Sequence, residues 1–265
     1  MHPSPPAFLF DLDGTLYTGE GPIAGAVETI AKLRQRGVPF RFVTNTTRMG
    51  RRAVVDRLTS YGFAVREDEV FTPAVAASSI LRERGIETVA PFVATDVLED
   101  LLGIELCGGV TGLHADATPG GVLIGDLGDD WTPRFLNEAF RYVMDGAVLI
   151  ALQKGRYWLG PSGLELDVGA YVAALEFASG REALLCGKPL ATFFDAVVAS
   201  LDLEPPFSPG GRPVMVGDDI WNDVAGAQKA GLAGWLVRTG KFREDELEES
   251  GVSPDRVIGS VVEVI

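Results

Sequence analysis

Phe8-Leu9-Phe10-Asp11-Leu12-Asp13-Gly14-Thr15-Leu16-Tyr17 is the stretch on which the rest of the chain is organised. Its apolar start fits a strand buried on both faces, as in a parallel sheet. Asp11 then stands at the strand's carboxyl end, where open α/β sheets place their ligands. Residues two apart in an extended chain project to the same side, so Asp11 and Asp13 can share one site. Gly14 lets the chain turn sharply just after them. Two carboxylates that close repel unless a cation or a shared proton intervenes, and hard oxygen ligands favour magnesium. Taken alone, the same decapeptide also reads as an acidic turn after a strand, because Asp-Gly is common turn chemistry.

The chain has 265 residues, enough for one large or two modest domains. Its hydrophobic content of 46% and charged content of 23% are those of a soluble globular enzyme. A formal net charge of −14 argues against nucleic acid and anionic membranes as partners. Residues 1–7 lack the basic start and apolar core of a signal peptide, and no apolar run is long enough to span a bilayer. The two cysteines, Cys107 and Cys186, lie far apart and read as buried free thiols of a reducing cytosol, so a cytoplasmic protein is expected. Two histidines, His2 and His114, leave little material for a histidine zinc site or a Ser-His-Asp triad.

Working outward, helical periodicity over 24–36 puts Ala26, Val27, Ile30 and Leu33 on one face. A second strand over 38–43 runs into Thr44-Asn45-Thr46-Thr47, and strand, crossover helix, strand implies parallel pairing. A helix follows from within 47–52 to just before Gly62, and another from Thr72-Pro73 to about Arg84. Arg48, Arg51 and Arg52 form a basic cluster: Arg51 and Arg52 read as a solvated face, while Arg48 stays open as an attractor of an anionic substrate. Thr95-Asp96 reads as the cap of a short helix over 97–102. Val148 to Gln153 and Arg156 to Leu159 read as a strand pair around Lys154-Gly155. Near the C-terminus, Pro213-Val214-Met215-Val216-Gly217-Asp218-Asp219 is another apolar strand that ends in acids.

Asp11/Asp13, Thr44/Asn45, Lys188 and Asp218/Asp223 each stand where an apolar strand ends or a turn begins. They supply a nucleophile, a general acid, phosphate-oxygen donors, a cation and metal-binding acids, the set that phosphoryl transfer needs. In this order they resemble the four motifs of the haloacid dehalogenase superfamily. The resemblance covers nearly the whole chain and extends to the C2-capped subgroup of NagD-like and p-nitrophenylphosphatase-like enzymes.

That resemblance implies a doubly wound parallel-sheet α/β core over 1–78 and 184–265 with an inserted α/β C2-type cap over 79–183. It implies that Asp11 attacks phosphorus and that Asp13 serves as acid and then base. Thr44 and the Asn45 amide hold phosphate oxygens, and Lys188 offsets charge. Magnesium sits on the Asp11 carboxylate, the Asp13 carbonyl and Asp218. For the remaining acid role Asp219 and Asp223 compete, and the family spacing favours Asp223. The implied activity is a magnesium-dependent phosphatase acting on a small phosphorylated metabolite. The alternatives are phosphohistidine, phospholysine or pyrophosphate hydrolysis, or a catalytically silent binding protein. A homodimer through the cap is implied by the family alone.

Two features compete for attention within the cap segment. Ile124-Gly125-Asp126 and Gly128-Asp129-Asp130 imitate the later Gly-Asp-Asp, but helix capping at Asp130 or Thr132 explains part of that acidity better than a second metal site. Arg156-Tyr157-Trp158 offers aromatics for a pocket, with alternating strand packing the simpler account.

Overall fold

The computed structural model describes residues 7–114, 117–160, 163–201, 203 and 211–265. His2 lies outside them. The chain divides into two compact units, Met1–Thr44, Val54–Phe71 and Lys188–Ile265 forming one, Asn45–Ala53 and Thr72–Gly187 the other.

The first unit is built on a six-stranded sheet: β1 (Phe8–Asp11), β2 (Phe40–Val43), β3 (Val70–Phe71), β4 (Val214–Gly217), β5 (Ala233–Val237) and β6 (Arg256–Ile258). The spatial order is β6-β5-β4-β1-β2-β3, with every pair parallel. β1, β4 and β5 are buried along their whole length, which is why they read as unbroken apolar runs. The chain builds outward from β1 to β2 and β3, then returns to the other side of β1 for β4 to β6. The strand order therefore reverses between β1 and β4, the switch point at whose carboxyl edge such sheets bind ligands. Helix Ala26–Gln35 buries Ala26, Thr29, Ile30 and Leu33.

The second unit carries its own parallel sheet, in the order Leu184–Leu185, Val148–Ala151, Gly121–Ile124, Thr88–Phe92, Glu105–Leu106. One apolar cluster includes Leu81, Val89, Leu123 and Ile150, and a second includes Phe92, Val122, Val143 and Val172. Alternation along a strand sends neighbours such as Val122 and Leu123 to opposite faces, so one sheet serves both clusters. Thr72 caps Pro73–Glu83 by accepting from the Val75 amide, and Thr132 caps Pro133–Met144 by accepting from Phe135.

Two local expectations change. Val148–Ala151 does not pair with the next strand; it joins the parallel sheet, while Tyr157–Gly160 pairs antiparallel with Gly163–Leu166. Gly160 pairs in register with Gly163, and an apolar run such as Leu149-Ile150-Ala151 is stabilised more by burial in the parallel sheet than by an exposed strand pair. The side chain of Trp158 lies outside the described residues. Asp96 does not cap its helix either: Thr95–Asp100 is a short 3-10 segment, and the Asp96 carboxylate accepts instead from the Gly50 amide at 3.0 Å.

Both Cys107 and Cys186 are buried free thiols, and burial pushes the Cys186 thiol up to about 12, so it stays protonated and inert. No helix among the described residues is long and apolar enough to cross a membrane.

Candidate active site

Asp11 closes β1, Thr44 follows β2, and Gly217-Asp218 closes β4, so three neighbouring strands deliver polar residues to one edge of the sheet. Asp11, Asp218 and Asp223 are buried there, with one carboxylate oxygen of each within 4.8 Å of the others. Lys188 answers this negative charge. Its Nζ donates to Asp11 Oδ1 and to Asp223 Oδ1, both at 2.6 Å, and only 3% of its side chain is exposed.

The two competing acids separate cleanly. The turn after β4 is a π-helical segment, Ile220–Ala225, a form that often marks functional sites. Asp219 caps it, its carboxylate accepting from the Trp221 and Asn222 amides at 3.0 and 2.9 Å. Asp223 points inward instead, 1% exposed, with Oδ1 on Lys188 and Oδ2 on the Asp219 amide at 3.1 Å. A side chain at position 217 would place its Cβ 2.1 Å from Asp223 Oδ2, so only Gly217 lets that carboxylate in.

Backbone also cradles Asp218. Its Oδ2 accepts from the Lys241 amide at 2.7 Å. Gly14 and Gly240 approach so closely that an added Cβ would lie 2.0 and 2.1 Å from the same oxygen. Both glycines have positive φ, +84° and +64°, and Thr239 Oγ1 ties the two loops by donating to the Gly14 carbonyl at 2.5 Å. Lys241 and Thr239 are site-building residues that the motif pattern does not single out. Arg57 is another, since its charge acts on both Asp13 and Tyr17.

The electrostatics follow from this crowding. Burial, then Asp11 and Asp223, push the Asp218 carboxyl up to about 8. Asp223 is raised to about 7 by burial, with Lys188 opposing and Asp11 adding to the rise. Burial opposes the charge on Lys188, but Asp11 and Asp223 outweigh it and hold its pKa above the ordinary lysine value. Asp13 opens to solvent, yet desolvation of its carboxyl and the nearby Asp11 raise it, while Lys241 and Arg57 pull the other way.

The donor set suits a hard divalent cation. Three buried carboxylates cluster within 4.8 Å of one another with Lys188 bonded to two of them, and the raised Asp218 carboxyl is that of a group short of positive charge. Asp223 spends an oxygen on Lys188 and the other on the Asp219 amide, which leaves Asp11 and Asp218 better placed to bind an ion directly.

Elsewhere the structure separates residues that the sequence left open. Arg48 pairs with Asp126, Nε to carboxylate at 2.9 Å, within the second unit. Thr44 is buried at the end of β2, while Asn45, the next residue, packs with the second unit. Asp126 is thereby accounted for by an ion pair and by the Gly128 amide that it accepts at 2.7 Å.

A doubly wound parallel sheet with acids and a lysine gathered at its switch point is the architecture of a Rossmann-like α/β enzyme core. The family model described as haloacid dehalogenase-like hydrolase matches residues 8–106, and the one described as HAD-hydrolase-like matches 185–264. Human haloacid dehalogenase-like hydrolase domain-containing protein 2 is 38% identical over 250 residues, 94% of this chain and 90% of that one. Human phospholysine phosphohistidine inorganic pyrophosphate phosphatase is 37% identical over 263 residues, 97% and 92% of the two chains. The solved p-nitrophenyl phosphatase from Archaeoglobus fulgidus superposes with a TM-score of 0.87 at 27% identity, covering 99% of this chain and 100% of that one. The chain belongs to the haloacid dehalogenase-like hydrolases. Within that family it is an enzyme of the phosphatase type.

Proposed function

We propose that this protein is a magnesium-dependent phosphatase that hydrolyses a small phosphorylated metabolite through an aspartyl-phosphate on Asp11. The observation that carries this reading is the Asp11 carboxylate held 2.6 Å from Lys188 Nζ at the switch point, beside Asp218 and Asp223. Asp11 attacks phosphorus, and the bond to the ester oxygen breaks as Asp13 gives that oxygen its proton. Asp13 then takes a proton from water, the water oxygen bonds to phosphorus, and the Asp11–phosphorus bond breaks to release phosphate and restore the carboxylate. A raised carboxyl at Asp13 suits the first of these roles.

Thr44 and the Asn45 amide hold phosphate oxygens, and Lys188 offsets charge on nucleophile and substrate alike. Asp223, bonded to Lys188, keeps that ammonium oriented. Asp11, the Asp13 carbonyl and Asp218 would hold magnesium, which brings the positive charge that lets a phosphate dianion approach three carboxylates. The inserted segment, about 79–183, serves as the cap that selects substrate for a core of about 1–78 and 184–265.

A second reading, hydrolysis of phosphohistidine, phospholysine or pyrophosphate, is favoured by the relative that is 37% identical over nearly the whole chain. Both readings are tested by phosphate release from a panel of phosphomonoesters, pyrophosphate and phosphoramidates, with magnesium and with EDTA, beside Asp11→Asn. Magnesium-dependent release that vanishes in the variant supports the chemistry, and the ranking of the panel chooses between the readings. Full activity in Asp11→Asn, or no release from any compound by folded protein, overturns it.

A further inference from the structure

The nine residues Asn45–Ala53, which follow Thr44, pack as part of the second unit, and acids of that unit hold them at several points. The Asp126 amide donates to Thr47 Oγ1 at 3.1 Å, and its carboxylate pairs with Arg48 at 2.9 Å. Farther on, Gly50 N donates to Asp96 at 3.0 Å and Arg51 N to the buried Asp100 at 2.7 Å. Gly50 sits so close to Asp96 that an added Cβ would lie 2.3 Å from its carbonyl oxygen. At the other end of the segment, Asn45 Oδ1 lies 2.7 Å from where a Cβ on Gly187 would stand.

Asp126 is itself fixed. It follows strand Gly121–Ile124, and its Oδ1 accepts from Gly128 N at 2.7 Å. Gly128 adopts φ +55°, and its bare Cα leaves room for the Arg48 guanidinium, whose Nη2 would be 2.7 Å from a Cβ there. The acid therefore presents a backbone donor and a charged acceptor to two successive residues, Thr47 and Arg48. These lie two and three positions beyond Asn45, too near for the Asn45 amide to move independently.

We propose that Asp126 is a positioning residue for the phosphate-binding turn, acting through Thr47 and Arg48 on the amide of Asn45. The inference rests on the reading of Asn45 as a phosphate donor given above. Arg48, in this assignment, bonds Asp126 and does not bind substrate. Losing the ion pair loosens the turn, weakens the hold on phosphate in substrate and product alike, and leaves the chemistry at Asp11 intact.

The test compares Asp126→Asn, Arg48→Gln, Arg48→Lys and the double variant Asp126→Asn/Arg48→Gln with wild type. Lys154→Gln, which breaks another ion pair of the same unit, is the control for plain destabilisation. KM and kcat are read for a phosphomonoester that wild type turns over, and binding of inorganic phosphate is read by calorimetry, which needs no turnover. Asp126→Asn and Arg48→Gln should each raise KM and the phosphate dissociation constant about 3- to 10-fold, with kcat changed less than about twofold. The double variant should lose no more than either single one, and Arg48→Lys should recover most of the affinity.

Wild-type phosphate affinity in Arg48→Gln overturns the proposal, and this variant serves equally if Asp126→Asn fails to fold. A loss in Arg48→Gln well beyond that in Asp126→Asn also overturns it, because Arg48 would then bind the substrate itself. So does an equal loss in Lys154→Gln. Absence of turnover in wild type with the expected changes in phosphate binding counts against the phosphatase reading and leaves the positioning role standing.

Discussion

Lys188 Nζ lies 2.6 Å from a carboxylate oxygen of Asp11 and 2.6 Å from one of Asp223, with all three side chains buried. One ammonium thus serves two acids, one at the end of β1 and one in the π-helical segment after β4. A point cation on a flexible stem can do this where the planar fork of arginine would need more room.

Replacing Lys188 by methionine keeps much of the volume and removes the charge. Asp11 and Asp223 are then left buried without their common partner. Loss of one member of such a pair costs about 3 kcal/mol or more, and loss of an electrostatic group at the reacting centre lowers kcat roughly 100-fold or more. The loss of stability should be larger at pH 8 than at pH 5, where Asp223, raised by burial to about 7, can take up a proton. Urea unfolding at the two pH values, beside steady-state rates, checks this; equal stability to wild type at pH 8 would contradict it.

Asp219 and Asp223 should respond differently to the same change. Asp223→Asn removes the charge that is bonded to Lys188 and, on the proposed reading, should lower kcat about 10- to 100-fold. Asp219→Asn weakens the cap on the π-helical segment, with a cost of about 1 kcal/mol in stability and a smaller effect on kcat. Rates and melting temperatures of the pair decide the matter, and the reverse ranking would exchange their roles.

Much of this site was legible because Asp11 and Asp218 stand at the ends of unbroken apolar strands, a pattern that survives in one dimension. Sequence order alone left Asp219 and Asp223 in competition. The structure separates them because one meets amides two and three residues on, while the other meets Lys188, 35 positions away. The cradle of Asp218 was not legible for the same reason: it joins the Gly14 turn to the Thr239–Lys241 loop, 225 positions apart at the Gly14–Thr239 bond. Arg48 stayed open in the sequence, because its ion pair with Asp126 spans a separation that no local pattern reports.

Gly14 illustrates how little tolerance that cradle has. Alanine there must adopt a φ near +84° and put its Cβ 2.0 Å from Asp218 Oδ2, so either the turn or the carboxylate has to move. The backbone conformation alone costs about 1 kcal/mol. Gly14→Ala should therefore lose stability and need more magnesium for half-maximal activity, whereas Gly19→Ala, which meets nothing within 4 Å, should not. Metal titrations of both variants test this, and a wild-type magnesium requirement in Gly14→Ala would count against the assigned role of Asp218.

The pH dependence of the metal-stripped protein follows from the same two acids. Folding lifts Asp218 from 3.8 to about 8 and Asp223 from 3.8 to about 7. Their folded state holds protons that the unfolded chain has already released, so stability from these groups is greatest below about pH 4 and falls as pH rises toward about 8. Acids with lowered values, such as Glu69 and Asp255, contribute fully once pH is above the ordinary carboxylate range, so they do not mask the decline. A cation that binds the ionised acids reverses it. Magnesium should raise the melting temperature more at pH 8.5 than at pH 6, and its binding at pH 7 should release protons, measurable by calorimetry in two buffers of different ionisation enthalpy. Equal stabilisation at both pH values, with no proton release, would show that these carboxyls are already ionised before the metal arrives.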